Sequence, residues 1–185
     1  MPNQLKRSLG QTGKMVEKSS QDYVADKLYI NEGACVSICA KFMCDINNLH
    51  IPSEDDYVEA AQWVQSGPGW ADRIRLMASA SGLRQTADTS GSLQYDEIAL
   101  SHFLDTVRTV PTFFIFGFLN NARTKGHALL FYRWAGEHWL LLDPNFGIAE
   151  WPTLSGLIVG LKRLLANGYL AFGPYQRFEV WKYER

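Results

Sequence analysis

The chain has 185 residues, 46% of them hydrophobic, 20% charged and 13% aromatic. That composition can fill one core and excludes a disordered or collagen-like protein. Eighteen Lys and Arg against nineteen Asp and Glu leave a formal charge of -1, without the positive surface that binding nucleic acid through its phosphates requires.

The length fits one domain, or one domain of two lobes. Cys35, Cys39 and Cys44 fall in one helix-sized segment, so no disulfide framework can staple distant parts of the fold. Lys6, Arg7 and Lys14 are followed by no apolar block, and no Sec-type signal peptide is visible. The apolar runs Val110-Leu119 and Leu154-Leu165 are broken by Pro111 and Gly117 and by Lys162 and Arg163. Neither reaches the roughly twenty residues of a membrane span, and a soluble protein is expected.

Residues 1 to about 22 are polar and without hydrophobic period, which predicts a flexible leader. From Gly33, the positions Cys35, Ile38, Cys39, Phe42 and Met43 follow i, i+3, i+4, i+7, i+8, the stripe of an amphipathic helix headed by Cys35. Ser53 and Asp56 form a capping-box pattern before Tyr57, Ala60, Ala61 and Val64, and Gly67-Pro68-Gly69 ends that second helix. A third helix is expected from about Ala71 to Ser81, a Gly/Ser/Thr-rich loop over Gly82-Ser92, and a fourth helix over roughly Gln94 to Val107.

The texture changes at Pro111. Sixteen of the 24 aromatic residues lie between 111 and 185, often in alternation, which is strand chemistry. Thr112-Leu119, Ala128-Trp134, Trp139-Leu142 and Arg177-Tyr183 are the expected strands, and Thr153-Asn167 a helix stopped by Gly168. Helices first and a mostly antiparallel sheet second predict an α+β fold of two lobes, helical over about 23–108 and sheet over about 109–185, with a cleft between them.

Gly33-Ala34-Cys35 sets a thiol in the first turn of a helix, where unpaired N–H groups and the helix dipole favour the thiolate. The plainer alternative is that Cys35 is the first core residue of its helix. Cys39 lies on the same stripe without a helix terminus, and Cys44 lies half a turn round from Cys35. The spacing Cys-x3-Cys-x4-Cys is not that of a zinc site, and no histidine shares the helix; no metal or cofactor is expected.

Of the four histidines, His127 opens the apolar strand that begins at Ala128, whereas His50, His102 and His138 sit in polar or helical surroundings where a solvated histidine is the simpler reading. With a three-residue hairpin loop near Ala135-Gly136-Glu137 and facing positions that sum to 270, His127 stands opposite Asp143. A two-residue loop would put Asp143 on the other face. Asp143 follows three leucines at a strand end and so calls for a partner, unless Asp143-Pro144-Asn145 is only a turn. Together Cys35, His127 and Asp143 have the chemistry of a thiolate nucleophile, an imidazole base and acid, and a carboxylate that holds the ring. Trp134, Trp139 and Trp151 are either a cleft wall for an extended chain or core residues.

Cysteine on an early helix, with histidine and acid on later strands, is the layout of papain-like proteases. Gly33-Ala34-Cys35, Gly126-His127-Ala128 and above all Leu142-Asp143-Pro144-Asn145-Phe146-Gly147 resemble the YopT-like cysteine peptidases of bacterial effectors, a family that includes plant-pathogen avirulence proteases. The resemblance implies a papain-like fold over about residues 23–185, with Cys35 as nucleophile, His127 as general base and Asp143 as orienting acid. Such enzymes carry an oxyanion-hole amide several residues before the cysteine, and Asn31 is the nearest one here, slightly closer than expected. The resemblance further implies an effector that leaves the bacterium without a Sec signal, reaches the host-cell cytoplasm and cleaves a host protein. It does not name the substrate. A deamidase or transglutaminase would use the same triad and thioester, and a non-enzymatic, aromatic-rich interaction domain is the alternative from another class.

Overall fold

The computed structural model describes residues 14–17, 34–66, 69–92, 104, 111–122, 126–133, 138–145, 147–165 and 175–185. The stripe headed by Cys35 is the buried face of helix α1, Ala34–Asn47. Helix α2, Glu54–Gln65, starts on the capping box read from the sequence: Ser53 N–H donates to Asp56 Oδ2 at 2.7 Å and Asp56 N–H to Ser53 Oγ at 3.3 Å. A cap of this kind contributes about 1 kcal/mol. Helix α3, Trp70–Ala80, follows Gly69, whose φ of 82° lies in the left-handed region that favours glycine.

Among the described residues seven strands make one sheet: β1 Lys14–Glu17, β2 Arg84–Ser92, β3 Thr112–Leu119, β4 Gly126–Arg133, β5 Trp139–Asp143, β6 Gly147–Trp151 and β7 Arg177–Glu184. Their spatial order is β1-β6-β5-β4-β3-β7-β2, with antiparallel pairing throughout. A fourth helix, α4, Leu154–Leu164, lies between β6 and β7 in the chain.

The central strands β3 and β4 are apolar at nearly every position because both their faces are covered. Phe113, Ile115, Leu130 and Tyr132 share one core with α1. Phe114, Phe116, Leu129 and Phe131 share the other with Leu157, Leu161 and Leu164 of α4. On that second side Gly160 lets α4 approach Trp151, since a Cβ there would stand 2.5 Å from the indole.

The sheet takes more of the chain than the sequence predicts. Residues 14–17, expected inside the leader, pair with β6. The expected loop Gly82-Ser92 is mostly β2, an edge strand on β7. Its side chains alternate between exposed and half-buried, so polar Thr86, Asp88 and Ser90 give no apolar signal. Strand β6 is likewise additional. Trp139 and Trp151 are buried in the α4-side core and are not a cleft wall; Trp134 lies outside the described residues. Of the expected helix over 94–107 only Leu104 is described, and it is helical and buried. Among the described residues no helix is long and apolar enough to cross a membrane.

Candidate active site

The first turn of α1, the start of β4 and the end of β5 meet at one end of the sheet. Each brings one candidate residue. Cys35 is the second residue of α1, His127 the second of β4 and Asp143 the last of β5. Cys35 and His127 are each 6% exposed and Asp143 is fully buried.

The β4–β5 register is that of a turn centred on Gly136, one residue later than a sum of 270 requires. Leu130 pairs with Leu142 and Arg133 with Trp139, so facing positions sum to 272 and His127 is not directly opposite Asp143. The shift is of two residues, which preserves the face. His127 reaches Asp143 diagonally, with Nε2 2.9 Å from Oδ1. Asn145 completes the corner: its backbone N–H donates to Asp143 Oδ1 at 2.8 Å, and its Nδ2 lies 3.5 Å from His127 Nε2.

Nε2 is engaged with Asp143, which leaves Nδ1 for the hydrogen bond between His127 and Cys35. Burial alone would push the Cys35 thiol up from its ordinary value. The charge and hydrogen bond of His127, with backbone hydrogen bonds from Ala128 and Val36, outweigh it and the thiol is lowered. For His127 burial again opposes the charged form, but Asp143 and Cys35 favour it by charge and hydrogen bond, and its value rises to about 10. Both shifts favour the thiolate–imidazolium form of the pair, beside a buried carboxylate.

The other two cysteines behave differently. Burial, then the Cys35 and Asp143 charges, push Cys39 well above its ordinary value, and burial pushes Cys44 up to about 11. Cys39 Sγ donates to Ala128 O at 3.6 Å, tying α1 to the start of β4 one turn below Cys35.

Phe118, directly across the ladder from His127, sets its ring edge-on to the imidazole with centroids 5.4 Å apart, and shields the pair on that side. Sequence reasoning did not single it out. The signal that marks it is the β3–β4 register, which sets Phe118 opposite His127. Asn31 and Gly33 lie outside the described residues.

Elsewhere, Asp45, His50 and Asp56 bring donor atoms within 4.8 Å of one another. Lys41 Nζ already supplies a cation to that group, 2.9 Å from Asp45 and 3.6 Å from Asp56. His138 is exposed and pairs with Glu150 at 2.7 Å; His102 lies outside the described residues.

No family model and no curated protein sequence matches the chain. Solved structures do. The crystal structure of the Pseudomonas avirulence protein AvrPphB superposes with a TM-score of 0.60 at 10% identity, covering 90% of this chain and 96% of that one. PatoxP, a cysteine protease-like domain of the Photorhabdus asymbiotica toxin PaTox, gives a TM-score of 0.50 at 13% identity, covering 89% of this chain and 52% of that one. At such identities the likeness carries the fold alone, and that fold is the α+β, papain-like arrangement these structures share.

Proposed function

We propose that the protein is a cysteine endopeptidase whose nucleophile is Cys35, whose proton carrier is His127 and whose orienting acid is Asp143. The observation that carries this reading is the chain of contacts itself: a thiol lowered by His127 at a helix start, and that imidazole 2.9 Å from a buried carboxylate.

In the proposed cycle Cys35 Sγ attacks the carbonyl carbon of a peptide bond, and the oxygen takes up the negative charge. The backbone N–H of Cys35, in the first turn of α1, has no partner within the helix and can donate to that oxygen; Asn31 is proposed as the second donor. Imidazolium His127 gives its Nδ1 proton to the departing amine as the C–N bond breaks, leaving a thioester on Cys35. Neutral His127 then takes a proton from water as the water oxygen attacks the thioester carbon. The C–S bond breaks, the acid leaves and the ion pair is restored. Asp143 keeps the ring oriented and stabilises its charge throughout.

The likeness to an avirulence protein and a toxin domain supports a host protein as substrate and delivery into a host cell. Incubating host-cell lysate with the protein and with its Cys35→Ala variant, then mapping new N-termini, tests the reading. A small set of new N-termini that depends on Cys35 is expected. A mass gain of one unit on glutamine, or a cross-link, without new N-termini would replace the endopeptidase with a deamidase or transglutaminase. No Cys35-dependent change of any kind would point to a binding domain.

A further inference from the structure

One row of Cα partners runs along the sheet end that carries His127. Gly126 of β4 pairs with Leu119 of β3, Leu119 with Arg177 of β7, and Arg177 with Ser92 of β2. At the far end of this row lies a pocket of about 470 Å³ lined by Gly91, Ser92, Asn121, Gln176 and Arg177. It belongs to the same rim as the candidate active site and is separated from it by the width of the strands between.

The pocket is built to donate hydrogen bonds. Asn121 N–H donates to Gln176 Oε1 at 3.0 Å, and Gln176 N–H to Leu119 O at 2.9 Å. These bonds fix the turn after β3 to the start of β7 and engage the Gln176 side-chain oxygen, while its NH₂ can donate. Arg177 is exposed. Among the described residues it has no ion pair, and Glu179, two residues on along β7, has an interaction of its own. A guanidinium recognises a carboxylate, and the Gln176 NH₂ that lines the same pocket is a further donor.

Strands lie about 4.8 Å apart, so Arg177 is about 10 Å from the start of β4, and an extended peptide covers that span in about three residues. We infer that this pocket is a specificity subsite that takes an acidic side chain of the substrate, about three residues from the bond that is cut. The inference rests on the endopeptidase reading and adds to it the class of sequence that the site prefers.

The test uses the full chain and pools of fluorogenic peptides carrying Asp, Asn or Lys in turn at each position from two to four residues on either side of the cleaved bond. The ratio of kcat/KM for Asp over Asn peptides is read, so a loss of folded protein cancels. For the wild type that ratio should be about tenfold at one of these positions. It should fall to near one in Arg177→Ala and invert in favour of Lys in Arg177→Glu. Cleavage with no acidic preference, or a preference that survives Arg177→Glu, would overturn the subsite and leave the endopeptidase standing. No cleavage of any pool, with Cys35 unreactive towards an electrophilic probe, would overturn the endopeptidase and the subsite with it.

Discussion

Asp143 Oδ1 accepts from His127 Nε2 at 2.9 Å and from the backbone N–H of Asn145 at 2.8 Å, so the carboxylate is fixed by its own chain before it fixes the ring. The turn that closes β5 is therefore part of the site. Asp143→Asn keeps an oxygen able to accept both bonds and removes only the charge. It should lower kcat/KM about ten-thousandfold, the loss typical when the carboxylate that holds a triad histidine is neutralised. His127→Ala removes the proposed proton carrier and should cost more, about a millionfold. Steady-state kinetics on one cleaved peptide would check the order; a wild-type rate in Asp143→Asn would reduce Asp143 to a turn residue and pass its role to Asn145.

At the opposite end of α1, Asn47 ties the helix to Arg185. Arg185 donates from Nε to Asn47 Oδ1 at 2.9 Å and from its guanidinium to Asn47 O at 2.7 Å, while Asn47 Nδ2 donates to Ser81 O at 2.8 Å. Asn47→Ala removes two of these bonds at a buried position, and at about 1 kcal/mol each the cost is about 2 kcal/mol. For a chain of this size that lowers Tm by about 4–8 °C. Calorimetry should show the loss, with turnover per folded molecule retained because the site lies at the other end of the helix.

Gly160 makes a second stability prediction from a different cause. An alanine Cβ would meet three atoms of the Trp151 indole at 2.5–2.9 Å, and that ring is sealed in the α4-side core. Gly160→Ala should cost about 1–3 kcal/mol by overpacking, even though alanine is the better helix former. A denaturant midpoint equal to or above that of the wild type would show that α4 moves outward at no cost.

The sequence reveals most where one physical signal stands alone. The α1 stripe, the Ser53–Asp56 cap and the doubly covered strands β3 and β4 are legible because each has its own period or pairing. Strands β1 and β2 are not, because polar edge strands are held by backbone bonds to a neighbour that local sequence does not specify. The meeting of Cys35, His127 and Asp143 is legible for a simpler reason: each stands at the end of its element, and the ends of antiparallel neighbours fall together. The β4–β5 register is misread by two residues, yet parity alone keeps His127 and Asp143 on one face. Phe118 depends on the register of a different strand pair, and nothing in its own neighbourhood marks it.

The central claim is that His127 makes Cys35 a thiolate, and the pH dependence of Cys35 alkylation, followed by peptide mass mapping, tests it most directly. The Cys35 thiol is lowered from an ordinary value of 9.0 while Cys44 is raised to about 11. Alkylation of Cys35 should therefore stay fast as the pH falls through the ordinary thiol range and decline only below it, with Cys39 and Cys44 inert in the folded protein. His127→Ala removes the charge and hydrogen bond that offset burial, so the Cys35 profile should move to higher pH and its rate at neutral pH should collapse. A Cys35 profile centred at or above 9, or one that does not move in His127→Ala, would contradict the account.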